Sequence, residues 1–157
     1  MIRTLIISCI CVVFLAGGVN AQSERYGLGM MVGEPTGISG KMWMNGATAF
    51  DLGVAWAFSG ENALNLQLDY VFHNFSLFNV KTGTLGFYFG IGGRVKFDAD
   101  NTMGLRIPIG LDYMFESAPI DAFFEVVPLM DIVPDTQFNP QAALGVRYFF
   151  GSSAITH

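Results

Sequence analysis

The sequence predicts an all-β fold, an eight-stranded antiparallel up-and-down β-barrel. Three observations indicate it. Bulky apolar residues alternate with small or polar ones in eight runs, and a period of two is that of a β-strand. No segment of helix length shows the 3.6-residue period of an amphipathic helix. Turn-forming residues separate the runs, as in a meander of hairpins.

The first four runs form two predicted hairpins. In the third run, Leu52 and Trp56 alternate with residues such as Asp51, so one strand face is bulky and the other small or polar. Asn45-Gly46 favours a type I′ turn before the third run, and residues 59–62 form the turn after it. The four runs cover residues 26–33, 37–44, 50–58 and 64–75.

The last four runs continue the pattern. Longer connections, residues 76–83 and 131–139, precede the fifth and the eighth run. Pro108 lies inside the sixth run and removes a hydrogen bond from the ladder, so we expect a bulge or a gap there. These runs cover residues 84–97, 102–115, 120–130 and 140–150.

The bulky face is predicted to point outward, toward lipid. The chain is 52% apolar, with a mean hydropathy of +0.44, yet no run after residue 21 reads as a membrane helix. Only helices and closed barrels can span a bilayer. Runs three to six alone hold more than twenty bulky side chains, too many for an eight-stranded interior. The alternative is a lipocalin-like soluble barrel, which would show water a glycine-rich surface.

The small and polar face would then line a narrow lumen that contains charges of both signs. Buried charges cost several kcal/mol unless they are paired, so we predict an internal ion-pair network in a filled, non-conducting lumen. Glu125 with Arg106 and Arg147 is the favoured cluster. Lys96 and Asp121 belong to the same face but lie near strand ends, where a watery rim is the alternative. The predicted network comprises Lys41, Asp51, Asp69, Arg94, Arg106, Asp112, Glu125 and Arg147.

The first 21 residues predict a secretory signal peptide. Arg3 precedes an apolar segment, and Val19-Asn20-Ala21 suits cleavage after Ala21. The predicted domains are therefore the signal peptide 1–21, the barrel 22–150 and a tail 151–157. Both cysteines lie in the leader, so the mature chain cannot form disulfides. It has no basic patch, which argues against nucleic-acid binding.

Three segments, residues 33–39, 106–111 and 143–150, resemble an uncharacterised family of small outer-membrane barrels from Gram-negative bacteria. The resemblance covers nearly all of the mature chain and implies the fold and an outer-membrane location, without an activity. In that location we expect contact with membrane lipid and lipopolysaccharide, insertion by the barrel-assembly machinery, and a monomeric chain. One departure is that residues 151–157 follow Phe150, where such barrels end on an aromatic residue.

No residue is predicted to be catalytic, and no cofactor or metal site is predicted. A lipid A deacylase or acyltransferase needs a nucleophile and a base within hydrogen-bond reach. His73 and Ser76 fall on opposite faces of a strand, although Ser39 or Ser59 could approach His73 on folding. The glycine-rich residues 86–93 lie within a strand, so they do not form a nucleotide loop. We predict a non-catalytic barrel with a structural role in the envelope; the alternatives are a lipid A-modifying enzyme, a surface binding or adhesion barrel, and a soluble carrier.

Overall fold

The structure, a computed structural model, describes residues 25–56 and 63–150. The predicted signal peptide, the turn at residues 59–62 and the tail 151–157 lie outside the described residues. No helix among the described residues is long and apolar enough to cross a membrane. The strand segments are β1 (Tyr26–Gly33), β2 (Gly37–Trp43), β3 (Thr48–Trp56), β4 (Leu64–Asn74), β5 (Thr84–Phe97), β6 (Thr102–Arg106), β7 (Ile109–Met114), β8 (Ile120–Val127), β9 (Leu129–Val133), β10 (Gln137–Phe138) and β11 (Gln141–Phe150).

These segments form one antiparallel sheet that closes on itself, because β1 pairs with both β2 and β11. Three of the barrel strands are interrupted, and β6 with β7, β8 with β9, and β10 with β11 each make one strand. The register continues across the breaks: Arg106 lies opposite Leu129, and Ile109 lies opposite Val126. The predicted all-β, eight-stranded antiparallel barrel is confirmed.

Prolines mark the three interruptions. Pro108 lies between β6 and β7, where the sequence predicted a gap; Pro128 separates β8 from β9, and Pro140 precedes β11. Ile107 N–H donates to Pro128 O at 3.1 Å, and Gly90 N–H donates to Pro108 O at 2.9 Å. Neither proline has an N–H to donate in return. The three prolines lie at one level of three adjacent strands, so the ladder is thinned there.

The predicted type I′ turn at Asn45-Gly46 is wrong. That turn needs positive φ at both central residues, and neither residue has it. Residues 44–47 instead connect β2 to β3, and Asn45 Oδ1 accepts hydrogen bonds from the backbone N–H groups of Ala47 and Thr48, at 2.8 and 2.9 Å. The asparagine side chain therefore stabilises a longer connection than the dipeptide suggested.

The predicted loop at residues 131–139 is also wrong. β9 continues to Val133 and β10 begins at Gln137, so only residues 134–136 connect them. Alternation explains the extension, because Val127, Leu129 and Asp131 are all buried on the lumen side. Pro128 interrupts this strand without ending it.

The bulky face points outward, as predicted. Phe89 and Leu105 are 51% and 52% exposed, whereas Arg106 is fully buried inside the barrel. Trp56 and Leu66 are exposed like Phe89, which excludes an apolar interior of the lipocalin kind. The outward apolar side chains together form a surface that we call the apolar belt.

Glycines on the inner face make room for large side chains of neighbouring strands. A Cβ at Gly110 would lie 2.5 Å from the Tyr88 ring, and one at Gly145 would lie 2.6 Å from the Phe123 ring. Both distances are shorter than carbon atoms tolerate, so these positions exclude any side chain. The inner face carries glycines at these positions because large side chains of the adjacent strands occupy the space beside them.

Candidate functional site: a charged lumen

We call the end of the barrel where Tyr26 pairs with Phe150 the floor, and the opposite end the mouth. Between them, the lumen holds buried and part-buried polar groups at three levels. The floor network consists of Lys41, Asp51, Asp112, Asp121 and Arg147. The central network consists of Asp69, Tyr88, Arg106, Glu125 and Gln141. The mouth pair is Arg94 with Asp131.

Two cations share three carboxylates in the floor network. Arg147 donates to Asp121 through Nε and Nη2, at 3.0 and 2.8 Å. Its Nη1 lies 3.5 Å from Asp51 Oδ2. Lys41 Nζ lies 3.1 Å from Asp112 Oδ2 and 3.3 Å from Asp51 Oδ1. No member is more than 8% exposed, so these contacts replace water as the partner of each charge.

Aromatic rings close the floor around His73. The imidazole stacks on the rings of Phe75 and Tyr88, with centroids 5.7 and 5.1 Å away, and lies 4.5 Å from the Trp43 ring. Its Nε2 is 3.5 Å from Asp112 Oδ2. Within the described ranges, the hydrogen bonds and ion pairs of this imidazole include no serine hydroxyl. In the described part of the chain, His73 therefore packs among aromatic rings beside a carboxylate, and Ser59 lies outside the described residues.

The central network is organised by Arg106. Its Nε donates to Asp69 Oδ1 at 3.0 Å and its Nη1 donates to Gln141 Oε1 at 3.2 Å. Its Nη2 lies 3.5 Å from Glu125 Oε1. Tyr88 donates its hydroxyl proton to Glu125 at 2.9 Å. One guanidinium thus links four strands across the middle of the lumen.

All eight residues of the predicted network lie inside the barrel, and each is at most 8% exposed. The favoured cluster is only partly assembled. Arg106 contacts Glu125, but the register of β8 and β11 places Arg147 opposite Asp121 and Glu125 opposite Ala143. Arg147 therefore binds at the floor instead.

Asp121 and Lys96, for which a position at the watery rim was the alternative, differ in burial. Asp121 is fully buried and binds in the floor network, so the rim position is wrong for it. The Lys96 side chain is 35% exposed near the mouth and lies 2.8 Å from Asp98. The hydrogen bond from its ammonium holds the pKa of the partly exposed Asp98 carboxyl below the ordinary value.

The sequence predicted one member of the mouth pair, Arg94, but not its partner Asp131. Arg94 donates to Asp131, which also accepts a hydrogen bond from the Asn139 side chain. The sequence predicted Asp131 as the first residue of the loop 131–139, which carries Pro134. The available signal was the period of two, which leads from Val127 through Leu129 to Asp131.

Above the mouth pair the lumen opens into a cavity of about 960 Å³. Its lining includes Asn65, Lys96, Asp98, Asp100 and Asp135. No group of three or more His, Cys, Asp or Glu side chains placed to hold a metal ion occurs in the part of the chain that the structure describes. This cavity therefore lies at the mouth end, above the buried networks.

An antiparallel eight-stranded barrel with an apolar outer belt and charges inside has the architecture of outer-membrane barrels. One solved structure with this fold is the N-terminal β-barrel domain of Pseudomonas aeruginosa OprF. It matches with a TM-score of 0.56 and 14% identity, over 80% of this chain and 95% of that domain. At this identity the likeness shows the fold alone. No protein-family model and no curated protein matches the sequence, so membership of the uncharacterised family stays a prediction.

Proposed function

We propose that this protein is a non-catalytic outer-membrane barrel with a structural role in the envelope. The observation that carries the proposal is the inverted polarity of the fold. Large apolar side chains, 32 in all among the described residues, are exposed, while ion pairs fill the interior. Soluble monomers rarely expose contiguous apolar patches beyond a few hundred Å². In a bilayer, lipid acyl chains would cover this belt, so its apolar surface would not face water.

The ion pairs inside the lumen support a role without catalysis or conduction. Charged groups of the floor and central networks form ion pairs with one another, and each is at most 8% exposed. Asp112 and Arg106, at the centres of the two networks, are fully buried. An internal polar core of this kind stabilises the cylinder and blocks the path that an ion would take.

The proposed setting follows from the position of the chain ends. The described chain begins and ends at the floor, which would face the periplasm after export by the signal peptide and cleavage after Ala21. The mouth would then face outward, and the belt would contact phospholipid and lipopolysaccharide. We expect insertion by the barrel-assembly machinery and a monomeric state, since a closed sheet leaves no free edge for pairing.

The proposal is tested on the protein in detergent and in vesicles. The folded barrel should migrate faster on a gel than the boiled chain, and in membranes it should survive protease that digests the boiled control. A chain that stays soluble without detergent, or that protease removes from intact membranes, would contradict the membrane assignment.

The catalytic alternative is tested separately. Lipid A from cells with and without the protein should have the same mass spectrum if the barrel is non-catalytic. A loss or gain of one acyl chain would establish the lipid A-modifying enzyme instead. The adhesion alternative gains no support from the mouth, since its described connections, residues 34–36, 98–101 and 134–136, are each three or four residues long.

A further inference from the structure

The connection between β4 and β5, residues 75–83, carries apolar side chains at an end of the barrel that should be wet. Leu77 and Phe78 are 58% and 43% exposed. Lys81, four residues after Leu77, is exposed as well. Exposure of leucine and phenylalanine side chains to water is unfavourable, and covering them with apolar material lowers the free energy.

The two halves of this connection turn to different sides of the barrel wall. Phe75 turns inward, where its ring stacks on His73 and would collide with a Cβ at Gly86. The far half is tied to the outer surface, because Tyr113 donates its hydroxyl proton to Thr82 O at 2.8 Å. Tyr113 alternates with the lumen residue Asp112 and so belongs to the outer face.

The outer face carries aromatic pairs from the belt down to the strand ends beside this connection. Phe72 stacks on Phe89 at 5.7 Å between ring centroids, and both belong to the belt. Tyr113 packs edge-on against the exposed Phe115 at 4.9 Å, beside the Thr82 hydrogen bond. Apolar surface therefore continues past the last strand residues to the level of the floor.

We propose that residues 77–81 form an interfacial anchor that inserts Leu77 and Phe78 among phospholipid headgroups at the floor end. The inference rests on the proposed function and names the lipid that this part of the surface contacts. Lys81 supplies charge complementarity to lipid phosphate, and its stem can lie along the apolar surface. The anchor fixes the depth of the barrel in the leaflet at the floor.

Single-cysteine variants test the anchor, because the sequence has no cysteine beyond Cys9 and Cys11. Both are changed to serine in the full chain, and a bimane probe is placed by Phe78→Cys or by the matched Asn79→Cys. Ile91→Cys reports the belt and Asp100→Cys reports the mouth. The folded protein is placed in vesicles of phosphatidylethanolamine and phosphatidylglycerol with spin-labelled lipid.

Probes at residue 78 should lose fluorescence to a label near the headgroup, and probes at residue 91 should lose it to labels within the acyl chains. The residue 100 probe should respond to aqueous iodide alone. Lys81→Glu should reduce quenching at residue 78 and leave residue 91 unchanged. If residue 91 is quenched while residue 78 responds only to iodide, the anchor is refuted. If residue 91 is not quenched, the proposed membrane function itself fails.

Discussion

Loss of the Arg147 guanidinium should destabilise the barrel strongly. In Arg147→Met the carboxyl group of Asp121, which the guanidinium binds at 2.8 and 3.0 Å, stays buried without its partner. Arg147 is only 1% exposed, so water cannot replace it without opening the floor. Removing one partner of a buried ion pair typically costs about 3–5 kcal/mol. We expect the free energy of unfolding to fall by about that amount.

The assay is urea unfolding of the barrel refolded in vesicles, followed by tryptophan fluorescence. The matched control is Lys96→Met, which removes a partly exposed cation at the mouth and should leave the unfolding midpoint unchanged. Adding Asp121→Leu to Arg147→Met should restore about 1–3 kcal/mol, since the orphaned carboxylate is gone. If Arg147→Met unfolds at the same urea concentration as the control, the floor network contributes no stability and the reasoning is refuted.

Three further predictions use the same unfolding assay. Gly29→Ala should cost about 1–3 kcal/mol or prevent folding, because its Cβ would collide with a backbone oxygen of the adjacent strand. The control Gly93→Ala should be neutral, because a Cβ there would meet one atom within 4 Å, at 3.7 Å. Equal effects of the two variants would contradict this packing. Tyr88→Phe should cost about 1.5–3 kcal/mol by removing a hydrogen bond to the Glu125 carboxylate, and an unchanged midpoint would show that bond to be unimportant. Ile91→Arg should cost about 2–4 kcal/mol in a bilayer, and no loss would mean that residue 91 does not face lipid.

The orientation of nearly every strand could be predicted from sequence because a period of two leaves only two choices for each run. Once size excluded an apolar interior, Leu105 had to point outward and Arg106 inward. The same rule placed Glu125 in the lumen beside Phe123. What the period fixes is the face of the sheet, and no more.

The choice of partners could not be predicted, because it depends on the stagger between strands. Arg147 was expected near Glu125, but its neighbour across the β8–β11 ladder is Asp121. The turn type at Asn45-Gly46 could not be predicted from the dipeptide alone. The Asn45 side chain accepts hydrogen bonds from two backbone N–H groups, and this stabilises a different connection from a type I′ turn. The predicted seventh run ended at residue 130, although the period of two continues through β9 and places Asp131 in the lumen.

The line of prolines across three adjacent strands divides the barrel wall into two parts that differ in how they are paired. Below it, β7, β8 and β11 join the floor by unbroken ladders; above it, β6, β9 and β10 are short segments joined to each other and to β5. Amide protons in the upper segments should exchange with solvent sooner than those below, since that part can unzip alone.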